Sequence, residues 1–275
     1  MGISITTLSE NTAGLGMVAE WGLSVLVETD SLSVLFDAGA GESTVRNAGI
    51  LGKDLSKVNT IAISHGHYDH TGGLRDVLRR TGQVEVIAHP DIWDAKYGGS
   101  GDNARYAGIP FRREELEGLG AWFNLSKQPV KIGDDITTTG EVPMVTGYEQ
   151  VEPYLFVKKG EQFLPDTLAD DLSIIINTEQ GLVVILGCAH RGMINHIRHA
   201  QMLFPGQPID TVIGGSHLLH ASPERMALTI GDLKEIGVRR LGLSHCTGFG
   251  PSAQLASEFG EIFFPNNAGT QITLP

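Results

Sequence analysis

The sequence predicts a mixed α/β fold. Short apolar runs rich in Val and Ile recur along the chain with glycines between them, which is typical of strands. Stretches with apolar residues at helical spacing lie between several of these runs. Two of the runs are joined by a turn at residues 29–31 and favour a hairpin. At least part of the sheet is therefore expected to be antiparallel, and a purely parallel doubly wound sheet is disfavoured.

The predicted elements follow from these patterns in chain order. The runs predicted to be strands are ISITTL, GLSVLVET, SLSVLFDAG, TIAIS, VEVIAH, YLFVKK, LSIIIN, GLVVILGC, DTVIGG and RRLGLSH. The stretches predicted to be helices are residues 73–80, 191–203, 223–236 and 251–259. Residues 97–110, YGGSGDNARYAGIP, have no apolar period and are expected to form an insertion loop that acts as a mobile lid over a site. No linker separates two halves, so a single domain over residues 1–275 is expected.

Charge and cysteine content exclude several kinds of partner. Asp and Glu total 32 against 20 Lys and Arg, and a formal net charge of −12 leaves no basic stripe for a phosphate backbone, so nucleic acid is not an expected partner. The two cysteines, Cys188 and Cys246, lie far apart in sequence, which favours a reducing cytoplasm over a disulfide framework. No signal peptide or apolar span of about 18 residues is found. The start MGISIT matches a myristoylation pattern but has no nearby Lys or Arg, so no membrane partner is expected.

The densest group of chemically active side chains is SHGHYDHTGGL at residues 64–74. His65 and His67 follow a strand-like run two residues apart, so in an extended backbone both imidazoles point the same way and can share one ion. Asp69 and His70 come as the chain turns into the next helix, where they are placed to bind a second ion. Imidazole and carboxylate donors together suit zinc, iron or manganese. The alternative is a polar turn whose histidines are satisfied by hydrogen bonds.

SHGHYDHTGGL resembles the signature of the metallo-β-lactamase superfamily. SVLFDAG resembles the early strand of that superfamily, whose aspartate, here Asp37, supports the metal ligands. LGCAHRGMINHI, IGGSHLLHASPERM and GLSHCTG together resemble the branch that includes the archaeal dihydropterin-ribofuranosylaminobenzene phosphate synthase and many uncharacterised bacterial relatives. The resemblance runs from about residue 3 to residue 273. One departure is Glu20-Trp21-Gly22, where the branch is expected to have Glu-His-Gly.

The resemblance implies a four-layer αβ/βα sandwich with a two-metal site at one edge. Superfamily members supply a third histidine for the first ion, a bridging aspartate at a strand end and a last histidine for the second ion. No histidine lies between His89 and His190, and the strand GLVVILG runs into Cys188 and His190 where an aspartate would be expected. His190 is therefore the candidate that completes the first site with His65 and His67.

His245, after the strand RRLGLS, is the candidate that completes the second site with Asp69 and His70. Two divalent ions, Zn, Mn or Fe, are thus the implied cofactors. Cys188 is either a small buried apolar residue or a thiolate near or bridging the metals, and both interpretations stay open.

Other polar residues are candidates for the cavity or for supporting the ligands. By resemblance, His217 borders the substrate cavity, with a metal or a structural role as alternatives. Arg191 could meet an anionic substrate group, and His89 could support the ligands or be an ordinary core or surface residue. Asp170 and Asp171 either point into the cavity or cap a turn. The histidines at 196 and 199 are expected at the surface of a helix.

These residues predict a metal-dependent hydrolase that acts on a small phosphorylated or cyclic metabolite through a water activated by two metals. Asp69 would be both a ligand and the catalytic proton partner. One alternative is a synthase that joins a dihydropterin methyl diphosphate to an aminobenzene riboside phosphate. The other is a sensor that binds metal or a small ligand without turnover. A small molecule is the expected partner, and a homodimer is left open.

Overall fold

The computed structural model describes residues 2–274, which fold into sixteen strands and seven α-helices. The strands are β1 (Ile3–Ser9), β2 (Ser24–Glu28), β3 (Ser33–Phe36), β4 (Thr60–Ala62), β5 (Val84–Ala88), β6 (Lys96–Gly98), β7 (Arg105–Tyr106), β8 (Ala121–Leu125), β9 (Ile136–Thr138), β10 (Leu155–Lys159), β11 (Gln162–Pro165), β12 (Ser173–Thr178), β13 (Gly181–Leu186), β14 (Ile209–Gly215), β15 (Arg240–Ser244) and β16 (Gln271–Leu274). The helices are α1 (Ser43–Ile50), α2 (Tyr68–Thr71), α3 (Leu74–Thr81), α4 (Arg113–Gly118), α5 (Met193–Leu203), α6 (Pro223–Ile236) and α7 (Phe249–Phe259). The predicted mixed α/β class is confirmed.

The chain forms two compact units, each built from segments that are apart in sequence. Of the described residues, unit 1 comprises 2–127, 152–170 and 267–274, and unit 2 comprises 128–151 and 171–266. Unit 1 contains two sheets and unit 2 one, and each unit has its own apolar core. That residues 1–275 act as a single domain stays a prediction.

Unit 1 contains a seven-stranded mixed sheet in the order β16-β1-β2-β3-β4-β5-β8. The strands from β16 to β3 pair antiparallel, and β2 and β3 form the predicted hairpin, with Val25 opposite Phe36. The strands from β3 to β8 pair parallel. Their apolar residues, such as Ile61 and Val86, are fully buried against helices α1 and α3, as expected for parallel strands. The carboxyl ends of these parallel strands share one edge of the sheet.

A second sheet of unit 1 includes part of the stretch that the sequence predicts to be a loop. The order of this sheet is β11-β10-β6-β7, all antiparallel, so residues 97–110 include the end of β6 and the whole of β7. Tyr97 pairs with Tyr106 across the turn, and their rings pack edge to face. Four of the fourteen residues of the predicted insertion loop, 97, 98, 105 and 106, thus lie in strands, because cross-strand aromatic pairs stabilise strands without an apolar period. Motion of this segment as a lid stays a prediction.

Unit 2 contains a five-stranded sheet in the order β15-β14-β13-β12-β9. β13, β14 and β15 are parallel, and β12 is antiparallel to both of its neighbours. Every residue of β13 is buried, which explains its unbroken apolar sequence GLVVIL. Helix α6 has the bounds predicted for it, because Ser222 caps its first turn by accepting from the backbone N–H of Arg225 and Gly237 ends it in a left-handed conformation.

Among residues 2–274, the structure contains no helix both long and apolar enough to cross a membrane.

Candidate metal centre

The histidine motif of unit 1 lies at the carboxyl ends of three parallel strands. Asp37 directly follows β3, His65 follows β4 and His89 follows β5, and all three side chains are buried. Because β3, β4 and β5 run in parallel, these residues come to the same edge of the sheet. Residues that bind ligands in α/β folds concentrate at such edges.

His65 and His67 present two ring nitrogens toward each other. Nε2 of His65 lies 2.9 Å from Nδ1 of His67, and the two rings pack edge to face with centroids 4.6 Å apart. Two imidazole ligands of one tetrahedral zinc ion have their nitrogens about 3.3 Å apart, because each Zn–N bond is about 2.0–2.1 Å long. The pair is therefore spaced close to what one ion requires, as the i, i+2 pattern predicts.

Asp37 fixes the tautomers of two histidines. Its carboxylate accepts from the backbone N–H of Ser64 and from the Ser64 hydroxyl, each at 2.7 Å, and from Nδ1 of His70 at 2.6 Å. Since the hydroxyl proton of Ser64 goes to Asp37, Ser64 Oγ accepts from Nδ1 of His65, 2.9 Å away. His65 and His70 thus carry their ring protons on Nδ1 and present the lone pair of Nε2, the arrangement in which imidazole binds a metal.

This donor set fits a divalent metal ion. The side chains of His65, His67, Asp69 and His70 are all buried, and the His65 and His70 rings lie 4.3 Å apart. Burying several nitrogen lone pairs and a carboxylate at one place is costly unless a cation or protons neutralise them. Imidazole nitrogen and carboxylate oxygen are the ligands that zinc, manganese and iron take in proteins.

Asp69 is oriented by the segment Glu20-Trp21-Gly22, where the sequence differs from the Glu-His-Gly expected of the branch it resembles. Nε1 of Trp21 donates to Oδ2 of Asp69 at 3.0 Å, and the backbone N–H of Leu23 donates to the Asp69 carbonyl at 3.2 Å. Glu20 anchors the same segment by accepting from the backbone N–H groups of Ala40 and Gly41. The indole N–H can only donate, so Trp21 holds Asp69 as a hydrogen-bond acceptor.

The parallel strands of unit 2 end in a second set of donors. Cys188 comes two residues after β13, His217 two residues after β14 and His245 directly after β15. Potential ligand atoms of Cys188, His245 and Cys246 lie within 4.8 Å of one another, and all three side chains are buried. Both cysteines are free thiols. The sequence singles out Cys188 and His245 but assigns no role to Cys246, whose only signal is its place directly after His245.

His190 and His217 lie side by side in unit 2, with ring centroids 4.1 Å apart. The thiol of Cys246 accepts from the backbone N–H of His217 at 3.3 Å and itself points at the carbonyl oxygen of Cys188, 3.5 Å away. Burial acts to raise the pKa of Cys246, but a hydrogen bond with the side chain of Cys188 and the nearby imidazoles lower the pKa well below its ordinary value. Unit 2 therefore holds sulfur and nitrogen donors together.

Asp171 and His196 form a fully buried pair next to the segment that carries His190. Oδ2 of Asp171 lies 3.2 Å from Nε2 of His196 and accepts from the backbone N–H of Arg191 at 2.9 Å. Nδ1 of His196 lies 2.7 Å from the hydroxyl of Ser173. The expectation of a surface position is thus wrong for His196, because its helix turns that face toward the polar start of β12. His199 is half-buried, and its Nε2 bonds to the carbonyl of Thr139 at 3.0 Å.

Two of the other candidates make hydrogen bonds with the backbone. Nδ1 of His89 accepts from the backbone N–H of Asp91 at 3.0 Å and so begins the next turn. The guanidinium of Arg191 donates from Nε to the carbonyl of Val142 at 2.7 Å. A role for His89 in supporting ligands and a role for Arg191 in binding an anionic substrate stay predictions.

Backbone strain concentrates where these side chains are held. Among residues 2–274, five residues other than glycine have a positive φ. Four of them belong to the donor segments described above: Asp37 at 59°, Ala189 at 53°, His217 at 49° and His245 at 55°. The fifth is Leu168. A left-handed conformation costs a residue with a side chain about 1–3 kcal/mol, and such strain persists mainly at functional sites.

The comparison with protein families connects this geometry to a known group. Residues 22–199 match the model of the metallo-β-lactamase superfamily. The chain belongs to the metallo-β-lactamase superfamily. The resemblance seen in SHGHYDHTGGL is confirmed, and so is the expectation of a metallo-β-lactamase fold.

Two relatives in the superfamily come from Methanocaldococcus jannaschii. One is the 7,8-dihydropterin-6-methyl-4-(β-D-ribofuranosyl)-aminobenzene-5'-phosphate synthase, 31% identical, with an alignment that covers 97% of this chain and 95% of the synthase. The other is an uncharacterised protein, 33% identical over 89% of this chain and 91% of that protein. A crystal structure of a metal-dependent hydrolase of the β-lactamase superfamily is similar at a TM-score of 0.86 and 30% identity, and covers 98% of each chain.

Family membership and the donor sets together indicate an enzyme that binds divalent metal ions. The assignment of His190 to the first ion, of His245 to the second and of Cys188 to a place near the metals stays a prediction.

Proposed function

We propose that this chain is a metal-dependent hydrolase of a small phosphorylated or cyclic metabolite. The observation that carries the proposal is the histidine motif of unit 1, in which the Asp37 carboxylate sets the Nε2 atoms of His65 and His70 as ligands. Such fixed imidazoles beside a buried carboxylate are what a catalytic metal centre needs and what a polar turn does not.

The motif alone has too few donors for two ions. His65, His67, Asp69 and His70 supply four ligand groups, and each catalytic ion takes about three from the protein. We propose that His190 completes the ligand set of the first ion and that His245 completes the ligand set of the second ion. His245 has thiol neighbours in unit 2, so we further propose that Cys188 lies close to the ions without being required for their binding.

When bound, divalent ions would supply Lewis acidity toward a carbonyl or phosphoryl oxygen and a nucleophile derived from water. The protein supplies the proton transfer. Asp69 is oriented by the indole N–H of Trp21 and is the group we assign to hold the proton of the nucleophile or of the leaving group. The net charge of −12 does not exclude an anionic substrate, because bound cations would be the largest charges near the site.

The similar structure of a metal-dependent hydrolase supports the hydrolytic reaction. A second candidate is a synthase that joins a dihydropterin methyl diphosphate to an aminobenzene riboside phosphate. It is favoured by the 31% identity to the archaeal synthase over nearly the full length of both chains. The two reactions differ in the group that displaces the leaving group, which is water in one and an arylamine-type acceptor in the other.

A substrate panel with metal-loaded protein tests the proposal. The panel contains phosphomonoesters, phosphodiesters, lactones and thioesters, and a separate reaction contains a dihydropterin methyl diphosphate with an aminobenzene riboside phosphate. The expected result is hydrolysis of one class that is abolished by a chelator and by His67→Ala. His220→Ala is the matched control, because His220 is exposed and lies outside the motif.

Each outcome decides between the candidates. Product formation only in the pterin reaction would replace the hydrolase by the synthase. No turnover in either assay, together with tight binding of a small molecule, would contradict both enzymes and support a sensor. Turnover that survives chelation or His67→Ala would contradict a metal centre at the histidine motif.

A further inference from the structure

Two adjacent carboxylates, Asp170 and Asp171, each hold the backbone beside a proposed metal ligand. The chain passes from unit 1 to unit 2 between these two residues. Asp170 accepts a hydrogen bond within unit 1, and Asp171 accepts one within unit 2. The sequence gives them only alternatives, a cavity position or a turn cap.

In unit 1, Asp170 bonds to the residue between the first two histidines. Its Oδ2 accepts from the backbone N–H of Gly66 at 2.8 Å, and its Oδ1 accepts from Nζ of Lys96 at 2.8 Å. Lys96 is almost completely buried, and its other partner is Oδ2 of Asp166 at 2.9 Å. Because the ammonium has two carboxylate partners, the ion pair holds Asp170 in one position.

Gly66 is held tightly by its surroundings. A Cβ at residue 66 would collide with the carbonyl oxygen of Ile92 and would lie 3.2 Å from Cε of Lys96. The backbone N–H of Gly66 thus has one defined direction, toward Asp170. A shift of this peptide would move the Cα atoms of His65 and His67 on either side of it.

In unit 2, Asp171 bonds in the same way to the residue after His190. Its Oδ2 accepts from the backbone N–H of Arg191, and His196 holds the same oxygen from the other side. Among residues 2–274, the second oxygen of Asp171, Oδ1, is buried without a hydrogen-bond donor. One oxygen of Asp171 therefore serves both Arg191 and His196, and the other is left without a partner in the described part of the chain, which in a buried carboxylate calls for an explanation.

We propose that Asp170 and Asp171 are positioning residues, which set the backbone of His65-Gly66-His67 and of His190-Arg191 for metal binding. The part of this inference that is tested by metal affinity rests on the proposed function. Neither aspartate is assigned to the metal itself.

The chain offers a matched control for Asp170. Asp166 bonds to the same Nζ of Lys96, but its other oxygen accepts from the backbone N–H of Leu168, away from the histidines. Asp166→Ala and Asp170→Ala therefore each remove one partner of the lysine, and only the second removes the acceptor of Gly66. For Asp171, the control is Ser173→Ala, which removes the other partner of His196 and leaves the bond to Arg191.

The experiment measures Zn²⁺ and Co²⁺ affinity by chelator competition and the visible absorption of the Co²⁺ protein, which reports ligand geometry. Asp170→Ala and Asp171→Ala are expected to weaken affinity by about tenfold or more and to change the Co²⁺ spectrum. Asp166→Ala and Ser173→Ala should keep both near wild type. Equal effects of Asp166→Ala and Asp170→Ala would show that only the ion pair matters and would overturn the inference.

A second measurement is used if the alanine variants fold poorly or if the wild-type protein binds no metal. In the background Lys96→Met, Asp170→Asn keeps an oxygen for the Gly66 N–H without an unpaired buried charge, whereas Asp170→Ala does not. In histidine-ring ¹H–¹⁵N NMR spectra of the metal-free proteins, the ring signals of His65 and His67 should shift in Asp170→Ala and stay unchanged in Asp170→Asn. If wild-type protein binds no metal, the proposed function fails, and these ring signals still decide the inference for Asp170, while the ring signals of His190, expected to shift in Asp171→Ala and not in Ser173→Ala, decide it for Asp171. Unchanged ring signals with Ala would overturn it.

Discussion

Oδ2 of Asp37 lies 2.6 Å from Nδ1 of His70, and both side chains are completely buried. The same carboxylate reaches His65 through the hydroxyl of Ser64. One aspartate at the end of β3 therefore sets the tautomers of two histidines that follow β4. Metal affinity should depend on this residue even though it is not assigned as a ligand.

Replacement of Asp37 by Asn tests this dependence. The amide has only one acceptor oxygen and cannot serve Ser64 and His70 as the carboxylate does, so the Nε2 lone pairs are no longer fixed. We expect metal affinity to fall by about 10- to 100-fold, measured by chelator competition. Asp76→Asn, on the exposed side of α3 where Asp76 pairs with Arg79, is the control and should bind like wild type. Wild-type affinity in Asp37→Asn would contradict the network.

Trp21→Phe tests the orientation of Asp69. Phenylalanine keeps most of the ring but removes the Nε1 donor, and a hydrogen bond to a charged group contributes about 1.5–3 kcal/mol. Because Trp21 is about half exposed, we expect the lower part of this range, which is a loss of about tenfold in affinity for the ion to which Asp69 is assigned. Trp122→Phe, at an exposed tryptophan of β8, is the matched control. Equal titration curves for the two variants would show that the indole does not hold Asp69.

Asp171 should make part of the stability depend on pH. Burial acts to raise the pKa of Asp171, but the charge and hydrogen bond of His196, helped by His190 and Arg191, outweigh burial and bring the pKa to about 2, below the ordinary 3.8. A lowered pKa stabilises the fold above the unfolded-state pKa, and this contribution, about 2 kcal/mol, is lost as the pH falls through the folded-state value.

Urea unfolding of metal-free wild type and Asp171→Asn measures this contribution. The difference in the free energy of unfolding should shrink as the pH falls from about 4 to 2. A difference that grows on acidification, or that does not change with pH, would contradict a carboxylate that is ionised in the folded protein.

His190→Ala and Cys188→Ser separate a ligand from its neighbour. Loss of a true ligand leaves a shell that the remaining groups cannot close, so His190→Ala is expected to lose one metal equivalent. Cys188→Ser should keep both ions and lose only about 1–2 kcal/mol of stability, measured by urea unfolding, because the thiol packs in the core of unit 2. The opposite ranking would show that the thiolate, with His245 and Cys246 beside it, is the ligand.

Much of the fold follows from the sequence because its strands carry strong local signals. The buried parallel strands have unbroken Val and Ile runs, and α6 has both of its caps in sequence. The short strands within 97–110 were not predicted because β6 and β7 depend on pairing with each other and with β10, which is distant in sequence. Local periodicity does not report such pairing.

The site was predictable where its donors are adjacent in sequence. His65 and His67 and their i, i+2 spacing give the direction of both rings. The contacts of Asp170 and of His196 were not predictable, because Gly66 and Asp171 lie 104 and 25 residues away from them. The indole bond to Asp69 likewise joins residues 48 positions apart.

The number of metal ions bound per chain tests the central claim most directly. Elemental analysis of protein purified without chelator and then saturated with Zn²⁺ or Mn²⁺ should give about two equivalents for wild type and about one for Asp69→Ala, because we assign Asp69 and His70 to the second ion and His65 and His67 to the first. A ceiling of one equivalent in wild type, with the same occupancy in Asp69→Ala, would contradict a dinuclear centre.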